Sequence, residues 1–238
     1  MEHRMSKVAL KNGFLVTPKE IIKKDIVLDQ GRISMADNII CENQVDITGK
    51  YVIPGMVDIH FHGYELFDFT KGVFKEDETF DSSNQAYFPA IQKLSKTLPR
   101  FGVTGCFPTT TAEPVKVLHN CFRKLKTFKS ENDKKPAQTR FHGAMLEGCY
   151  YNEKMCGALN TNNIFDFTPT SFDAIDDGGV IKLANVVPEM GENAIKLIKY
   201  LTEKGVVVGA GHTNATCQQF MEGVKAGLKY CIHFTNGP

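Results

Sequence analysis

The sequence has no excess of charge of either sign. Its 238 residues carry 28 Lys and Arg against 27 Asp and Glu, a formal net charge of +1. No long-range field draws such a chain to nucleic acid or to an anionic membrane, and neither is expected as a partner. Long hydrophobic runs are also missing: nothing approaches the ~20 consecutive apolar residues of a membrane span. The charged start, Met1-Glu-His-Arg-Met-Ser-Lys7, is not followed by an apolar run long enough for a signal peptide. A disulfide framework is absent too. Seven cysteines cannot all pair within one chain, and their scattered spacing points to a reduced, cytoplasmic setting. With 42% apolar and 23% charged residues, no low-complexity segment and no repeat beyond a strand-helix cadence, a soluble globular protein is expected.

What is present divides at about residue 51. Residues 1–51 read as short strands separated by turns, namely Val8-Ala-Leu, Asn12-Gly-Phe-Leu-Val, Asp25-Ile-Val-Leu-Asp, a Gln30-Gly31 turn, Arg32-Ile-Ser-Met and Val45-Asp-Ile, a small β module. Over 52–238, apolar strands alternate with helical patterns, the sign of βαβ units and a parallel sheet. Strands are predicted near 52–60, 102–109, 139–147, 180–187, 206–211 and 230–235, and helices near 84–100, 114–128, 191–204 and 215–226. The last helix has Thr213 or Asn214 as its cap, Phe220, Met221 and Val224 on one face, and Gly227 as its stop. A complete eight-stranded (β/α) barrel takes ~250 residues. Only six strands are counted from Val52 to Pro238, so the chain is expected to be part of a longer one. The basic stretch 123–135 is interleaved with acids and reads as a solvated helix end and loop. The polar segment from Gly148 to Gly179 is too long for a simple connection, and loops of that length are usually functional.

The chemistry gathers at predicted strand ends. In Pro54-Gly-Met-Val-Asp58-Ile-His60-Phe-His62-Gly63, strand alternation puts Asp58, His60 and His62 on one face and Val57, Ile59 and Phe61 on the other, under the helices. Same-face neighbours lie ~7 Å apart, so both imidazoles can converge on one divalent ion. The pair alone is also compatible with two polar residues at a strand end. Other strand ends, however, supply further ligand types: Glu147 in Ala144-Met-Leu-Glu147-Gly148, His212 after Val206-Val-Val-Gly-Ala-Gly, and His233 after Tyr230-Cys-Ile. Catalytic residues of (β/α) barrels collect on the rim at these C-terminal ends. Four histidines and a glutamate from four strand ends predict a metal site. Lys182 sits at the start of its strand, on the wrong rim. His119 and His142 fall on a helix and at a strand's beginning, where packing or exposure accounts for them, and His3 lies in the N-terminal tail. Cys149 reads as a small buried hydrophobe.

On these residues the sequence resembles the amidohydrolase superfamily, and within it the N-acetylglucosamine-6-phosphate deacetylases. The marks are Pro54 to Gly63, Pro108-Thr-Thr110, Leu146-Glu-Gly148, Pro188-Glu-Met190, His233-Phe-Thr-Asn-Gly237 and, most specifically, Gly211-His-Thr-Asn-Ala-Thr216. The resemblance implies an α/β fold, a metal-dependent hydrolase (β/α) TIM barrel represented by its first six strand-helix units, with residues 1–51 as the N-terminal part of a β-sandwich module. It implies removal of acetate from an N-acetyl amino-sugar 6-phosphate, with a divalent metal, zinc, as one or two ions. Glu147, His212 and His233 would be the principal ligands, and His60 and His62 a second position. Asn236 and Gly237 match the segment whose backbone holds the sugar phosphate, and amides suit that task because they donate without net charge. The general acid/base aspartate would lie beyond Pro238, so the 238-residue chain alone is expected to be inactive, and the full-length protein to be a homodimer.

The family's His-Leu-Glu-Gly-Pro reads Met145-Leu-Glu-Gly-Cys149 here, and its Lys-Gly-(Ala/Thr)-His-Asn-Pro loop reads Cys156-Gly-Ala-Leu159-Asn160-Thr161. Leu159 thus replaces the histidine that polarises the acetamido carbonyl, leaving Asn160 or a second metal to supply a donor. Two alternatives follow: an amidohydrolase acting on another amide, or a non-catalytic sugar-phosphate-binding relative.

Overall fold

The computed structural model describes residues 7–35, 41–133, 135, 137–176 and 178–235. The chain forms two compact units, Met1–Gly55 and Met56–Pro238. The first consists of two small sheets. Strands β1 (Val8–Lys11), β4 (Ile26–Asp29), β5 (Arg32–Met35) and β6 (Asn43–Asp46) form one, in the order β5-β4-β1-β6. Strands β2 (Phe14–Val16), β3 (Ile21–Lys23) and β7 (Tyr51–Val52) form the other, in the order β3-β2-β7. The Gln30-Gly31 turn joins β4 to β5 with both residues at positive φ, 49° and 74°. That backbone matches the right-handed twist of the paired strands, and glycine adopts it without strain.

The second unit is built on a parallel sheet. Its strands β8 (Met56–Phe61), β13 (Val103–Thr110), β15 (Ala144–Leu146), β16 (Ile181–Asn185), β17 (Val207–Ala210) and β18 (Leu228–Cys231) pair in sequence order. After β8 comes a small antiparallel sheet of β9 (Gly63–Tyr64), β10 (Phe67–Asp68), β11 (Gly72–Phe74) and β12 (Phe80–Asp81). The helices between parallel strands are α1 (Asn84–Thr97), α2 (Val115–Asn132), α4 (Glu192–Glu203) and α5 (Cys217–Ala226), with the short α3 (Pro169–Asp173) before β16. A two-residue strand, β14 (Arg140–Phe141), precedes β15, so the strand predicted over 139–147 is interrupted at His142-Gly143. Among the described residues, no helix is long and apolar enough to cross a membrane.

Apolar residues lie on both faces of this sheet. On the helix side Cys106, Ala144, Leu146, Ala184, Val208 and Ala210 join the main core with Leu118, Phe122 and Leu125 of α2 and Leu197, Ile198 and Leu201 of α4. On the other face Met145, Leu183 and Ile232 form a second cluster with Phe107 and Tyr230. Five strand spacings of ~4.8 Å would separate β8 from β18 by ~24 Å in a flat sheet. Yet the rings of His60, in β8, and His233, just past β18, have centroids 5.0 Å apart. The sheet is therefore curled into a half barrel, with its second cluster inside the curve.

Several sequence expectations are corrected. Helix α5 is capped by Thr216, which forms a capping box with Gln219, rather than by Thr213 or Asn214. Its buried face is Gly223 and Ala226 with Phe220 packed beside them, whereas Met221 and Val224 are exposed. A Cβ at Gly223 would fall 2.5 Å from Leu228 and 2.9 Å from Pro188, so the helix approaches too closely for larger side chains on that face. The 148–179 segment, whose Asn, Thr and Asp content argues against a place in the core, nonetheless contributes to it: Cys149, Tyr150, Tyr151 and Phe172 are all fully buried. Val57 and Ile59 are 50% and 45% exposed rather than covered by helices, and from that set only Phe61 packs on the core.

Phe69 ties β8 to this core. It is fully buried, its ring lies 5.7 Å from Phe61, 5.4 Å from Phe67 and 6.0 Å from Phe141, and its carbonyl accepts from the Tyr87 hydroxyl at 2.7 Å. Truncation leaves a cavity that this rigid aromatic group cannot close. Phe69→Ala is expected to destabilise the protein by about 3–5 kcal/mol, read as a shift in the urea unfolding midpoint at unchanged slope.

Candidate metal centre

The strand exits converge on Glu147, which follows β15 directly and has only 3% of its side chain exposed. Four imidazoles surround its carboxylate. Oε1 lies 2.7 Å from His233 Nε2, 3.1 Å from His60 Nε2 and 3.3 Å from His212 Nε2, and Oε2 lies 3.0 Å from His62 Nε2. His60 Nε2 and His62 Nε2 are themselves 3.0 Å apart. The structure thus brings together all five residues that the strand-end argument singled out. Ligand atoms of His60, Glu147 and His233 all lie within 4.8 Å of one another, a group able to hold a metal ion.

Local backbone explains how each side chain arrives. The strand predicted at 230–235 is observed at Leu228–Cys231, so His233 stands two residues beyond it, as His212 stands two residues beyond β17. Both are in the left-handed conformation, with φ of 56° at His212 and 55° at His233. Such backbone is uncommon outside glycine and collects at functional sites. It turns each imidazole back over the sheet end. His60 and His62 come from the end of β8, but Asp58 does not share their face. The β8·β13 pairing sets Asp58 opposite Cys106 and Phe61 opposite Pro108, three steps against two. This bulge shifts the side-chain alternation. Asp58 lies beside Cys106, whose thiol is pushed up by burial and further by the Asp58 charge, and accepts from the His60 N–H at 3.1 Å.

The electrostatics of the cluster suit a cation. Burial pushes the Glu147 carboxyl up, but hydrogen bonds from His212, His60 and His62 outweigh it and hold the group well below the usual carboxylate range. Burial likewise lowers His212 and His62, and the Glu147 carboxylate outweighs it, so both rings titrate above the ordinary histidine value. His212 Nδ1 lies 2.9 Å from the Met155 carbonyl, an acceptor only. A neutral ring has one N–H, so donating it there leaves Nε2 as a lone pair facing Glu147. Only a second proton or a cation removes that repulsion. A set of imidazole nitrogens and one carboxylate suits zinc and related divalent ions, and the residues present therefore fit a metal.

A cavity of 630 Å³ opens on the cluster, lined by His62, Glu147, His212 and His233 and by Thr111, Lys154, Met155, Gly157, Ala158 and Leu159. Sequence reasoning singled out Leu159 but missed Thr111, Lys154 and Met155; the length of the 148–179 segment signalled the last two, and Thr111 stands one residue past β13. Leu159 packs with Ala112, Tyr151 and Val187. Asn160 is not on the cavity wall: it is exposed, and its side chain accepts from the Asn162 N–H at the start of the 3₁₀ turn Thr161–Asn163. Asn236 and Gly237 lie outside the described residues, as does His3. His119, on α2, His142 and Lys182 are exposed. Cys149 is in the core, its thiol pushed up to about 12 by burial.

A metal must displace protons from His62 and His212. In metal-free protein those raised values contribute stability that is complete below the unfolded histidine pKa and is lost as pH rises through the folded one; the depressed Glu147 contributes above the unfolded carboxylate pKa and is lost as pH falls. Added zinc is therefore expected to raise Tm more at about pH 8 than at about pH 6, measured by calorimetry with and without the ion. An equal gain at both would mean that zinc does not compete with protons at these rings.

No family model matches the chain. It is 25% identical over 241 residues to the N-acetylglucosamine-6-phosphate deacetylase of Bacillus subtilis (strain 168), covering 95% of this chain and 56% of that protein. To the deacetylase of Vibrio furnissii it is 29% identical over 189 residues, covering 78% and 43%. The crystal structure of the deacetylase from Thermotoga maritima matches 96% of this chain and 55% of that one with a TM-score of 0.74 at 25% identity. The chain spans about half the length of the curated relatives it matches. The curated homologues and the structural neighbour that this half-barrel resembles are N-acetylglucosamine-6-phosphate deacetylases.

Proposed function

We propose that the protein carrying this chain is a metal-dependent hydrolase that removes acetate from an N-acetyl amino-sugar 6-phosphate, converting N-acetylglucosamine 6-phosphate to glucosamine 6-phosphate. One observation carries the reading: a buried glutamate ringed by four imidazoles faces a 630 Å³ cavity at the exits of a parallel sheet. The likeness to named deacetylases selects the substrate class. The finer architecture belongs to the same proposal: residues 52–238 as the first six strand-helix units of an amidohydrolase TIM barrel, and residues 1–51 as part of a β-sandwich module. Seven free thiols support a reducing, cytoplasmic setting.

In this reading Glu147, His233 and His60, with His212 and His62, hold zinc as one or two ions. When bound, a divalent ion lowers the pKa of a coordinated water towards ~7 and polarises the amide carbonyl. The chain's own residues set the rest. Among the described residues Glu147 is the only carboxylate lining the cavity, and its histidines keep it ionised, so it serves as a ligand rather than a proton carrier. The Met155 carbonyl fixes the orientation of His212. Met155, Ala158 and Leu159 line the acyl side with apolar groups that exclude water, and Lys154 offers positive charge to an anionic substrate. The same reading assigns the sugar phosphate to the segment of Asn236 and Gly237, which lies outside the described residues.

The zinc-loaded whole protein that carries this chain, rather than residues 1–238 alone, should release acetate from N-acetylglucosamine 6-phosphate, assayed by coupled acetate detection. Glu147→Gln should cut kcat/KM by more than the ~10–100-fold of an outer-sphere change, with loss of bound zinc. A zinc-replete whole protein that releases no acetate would overturn the substrate assignment.

A second reading, hydrolysis of a different amide, is favoured by Leu159, which lines the cavity and offers neither hydrogen bond nor charge. Loss of one oxyanion donor costs ~10²–10³ in rate. Leu159→His is therefore expected to raise kcat on N-acetylglucosamine 6-phosphate by about tenfold or more. Unchanged kcat, with non-sugar amides turned over faster by the unaltered protein, would favour the second reading.

A further inference from the structure

Asn185 is the last residue of β16 and is fully buried. Its carboxamide grips one residue of the adjacent strand exit twice: Nδ2 donates to the Gly211 carbonyl at 3.1 Å, and Oδ1 accepts from the Gly211 N–H at 2.7 Å. The β16·β17 ladder ends with Asn185 opposite Gly209. Gly211 is the next residue whose backbone would need partners from that side, and a carboxamide carries the same donor and acceptor as a peptide unit. The side chain thus extends the ladder where the backbone of β16 has turned away. On its other side Gly211 lies so close to Ile232 that a Cβ there would stand 2.3 Å from the Ile232 side chain and 2.8 Å from its carbonyl, so no larger residue fits.

The next residue is His212, in the left-handed conformation. On its far side the backbone is held again: Glu189 accepts from the Asn214 N–H and the Thr213 hydroxyl, both at 2.7 Å. His212 is therefore a strained residue between two anchors, and the anchor on the sheet side is Asn185. A polar side chain buried among the apolar groups of this sheet is stable only because both of its groups are paired.

We propose that Asn185 is a positioning residue for the metal centre, holding Gly211 so that His212 presents Nε2 to Glu147. This rests on the reading of the histidine cluster as a metal site, and it assigns the affinity of that site in part to a residue that touches neither the cavity nor Glu147. Asn185→Asp keeps the acceptor for the Gly211 N–H and replaces the donor by an oxygen that repels the Gly211 carbonyl, with no change of shape. Asn185→Leu removes both bonds.

The test is a double-mutant cycle in zinc affinity, measured by competition with a chromophoric chelator for the unaltered protein, Asn185→Asp, His212→Ala and the double variant. Asn185→Asp should weaken zinc binding ~10–100-fold when His212 is present, and by less than about twofold when it is already alanine. Equal losses in both backgrounds, or no loss in either, would overturn the proposal, because a merely structural asparagine acts on the fold whether or not His212 is there. Hydrogen exchange of the Gly211 amide in metal-free protein supplies the second measurement. Protection retained in Asn185→Asp and lost in Asn185→Leu is expected, and an unprotected Gly211 amide in the unaltered protein would refute the clamp. Should the unaltered protein take up no zinc, the metal reading and with it this role would fall, while Gly211 exchange would still show whether the clamp exists.

Discussion

A carboxylate with 3% of its side chain exposed, as at Glu147, remains ionised only if opposite charge or hydrogen-bond donors replace the water it has lost. Here four imidazoles do so, from three other strand exits, at 2.7 to 3.3 Å. The arrangement constrains the whole second unit. Histidines near the ends of the first and last parallel strands can meet one carboxylate only if the sheet curls, and the curl is maintained by the apolar filling of its concave face, Phe107, Met145, Leu183, Tyr230 and Ile232. Core packing and site geometry are thus two consequences of the same curvature.

The exits from the strands carry the strain. His212, His233 and Cys149 all have positive φ at or close to the cluster, and the segments around Cys149 and His212 are held by close neighbours. Gly148 stands so close to Ala112 that a Cβ would lie 2.4 Å from its backbone nitrogen, while Cys149 and the two tyrosines after it are buried in core. From this anchored start the chain runs out over the sheet end, where the Met155 carbonyl meets His212 and Leu159 lines the cavity. A rigid scaffold with its functional groups on short, tightly held exits is the general way to keep such groups within a fraction of an ångström of one another.

The cluster and the cavity wall differ in how much change their physics tolerates. The histidines around Glu147 compensate its buried charge, whereas Leu159 stands at the cavity wall. One of those histidines cannot be exchanged without losing charge compensation for Glu147. A wall residue can, because an apolar side chain there packs against Ala112, Tyr151 and Val187 at no electrostatic penalty.

Periodicity made much of this legible in advance. Strand-helix alternation located all six parallel strands, and His60, His62, Glu147, His212 and His233 were identifiable because their residue types recur at strand ends, where catalytic groups of such sheets gather. The Gln30-Gly31 turn was readable from local chemistry alone. What tertiary contacts decided was orientation. Asp58 left the histidine face because a bulge against β13 shifted the alternation, and a bulge depends on the partner strand. The buried face of α5 was set by the close approach to Leu228 and Pro188, which selects Gly223 over the larger Met221 and Val224. Asn185 gave no signal because its role lies in pairing Gly211, 26 residues away. Side-chain period is a property of a segment and can be read from it; bulges, close approaches and long-range amide clamps are properties of pairs of segments, and only the folded chain brings those pairs together.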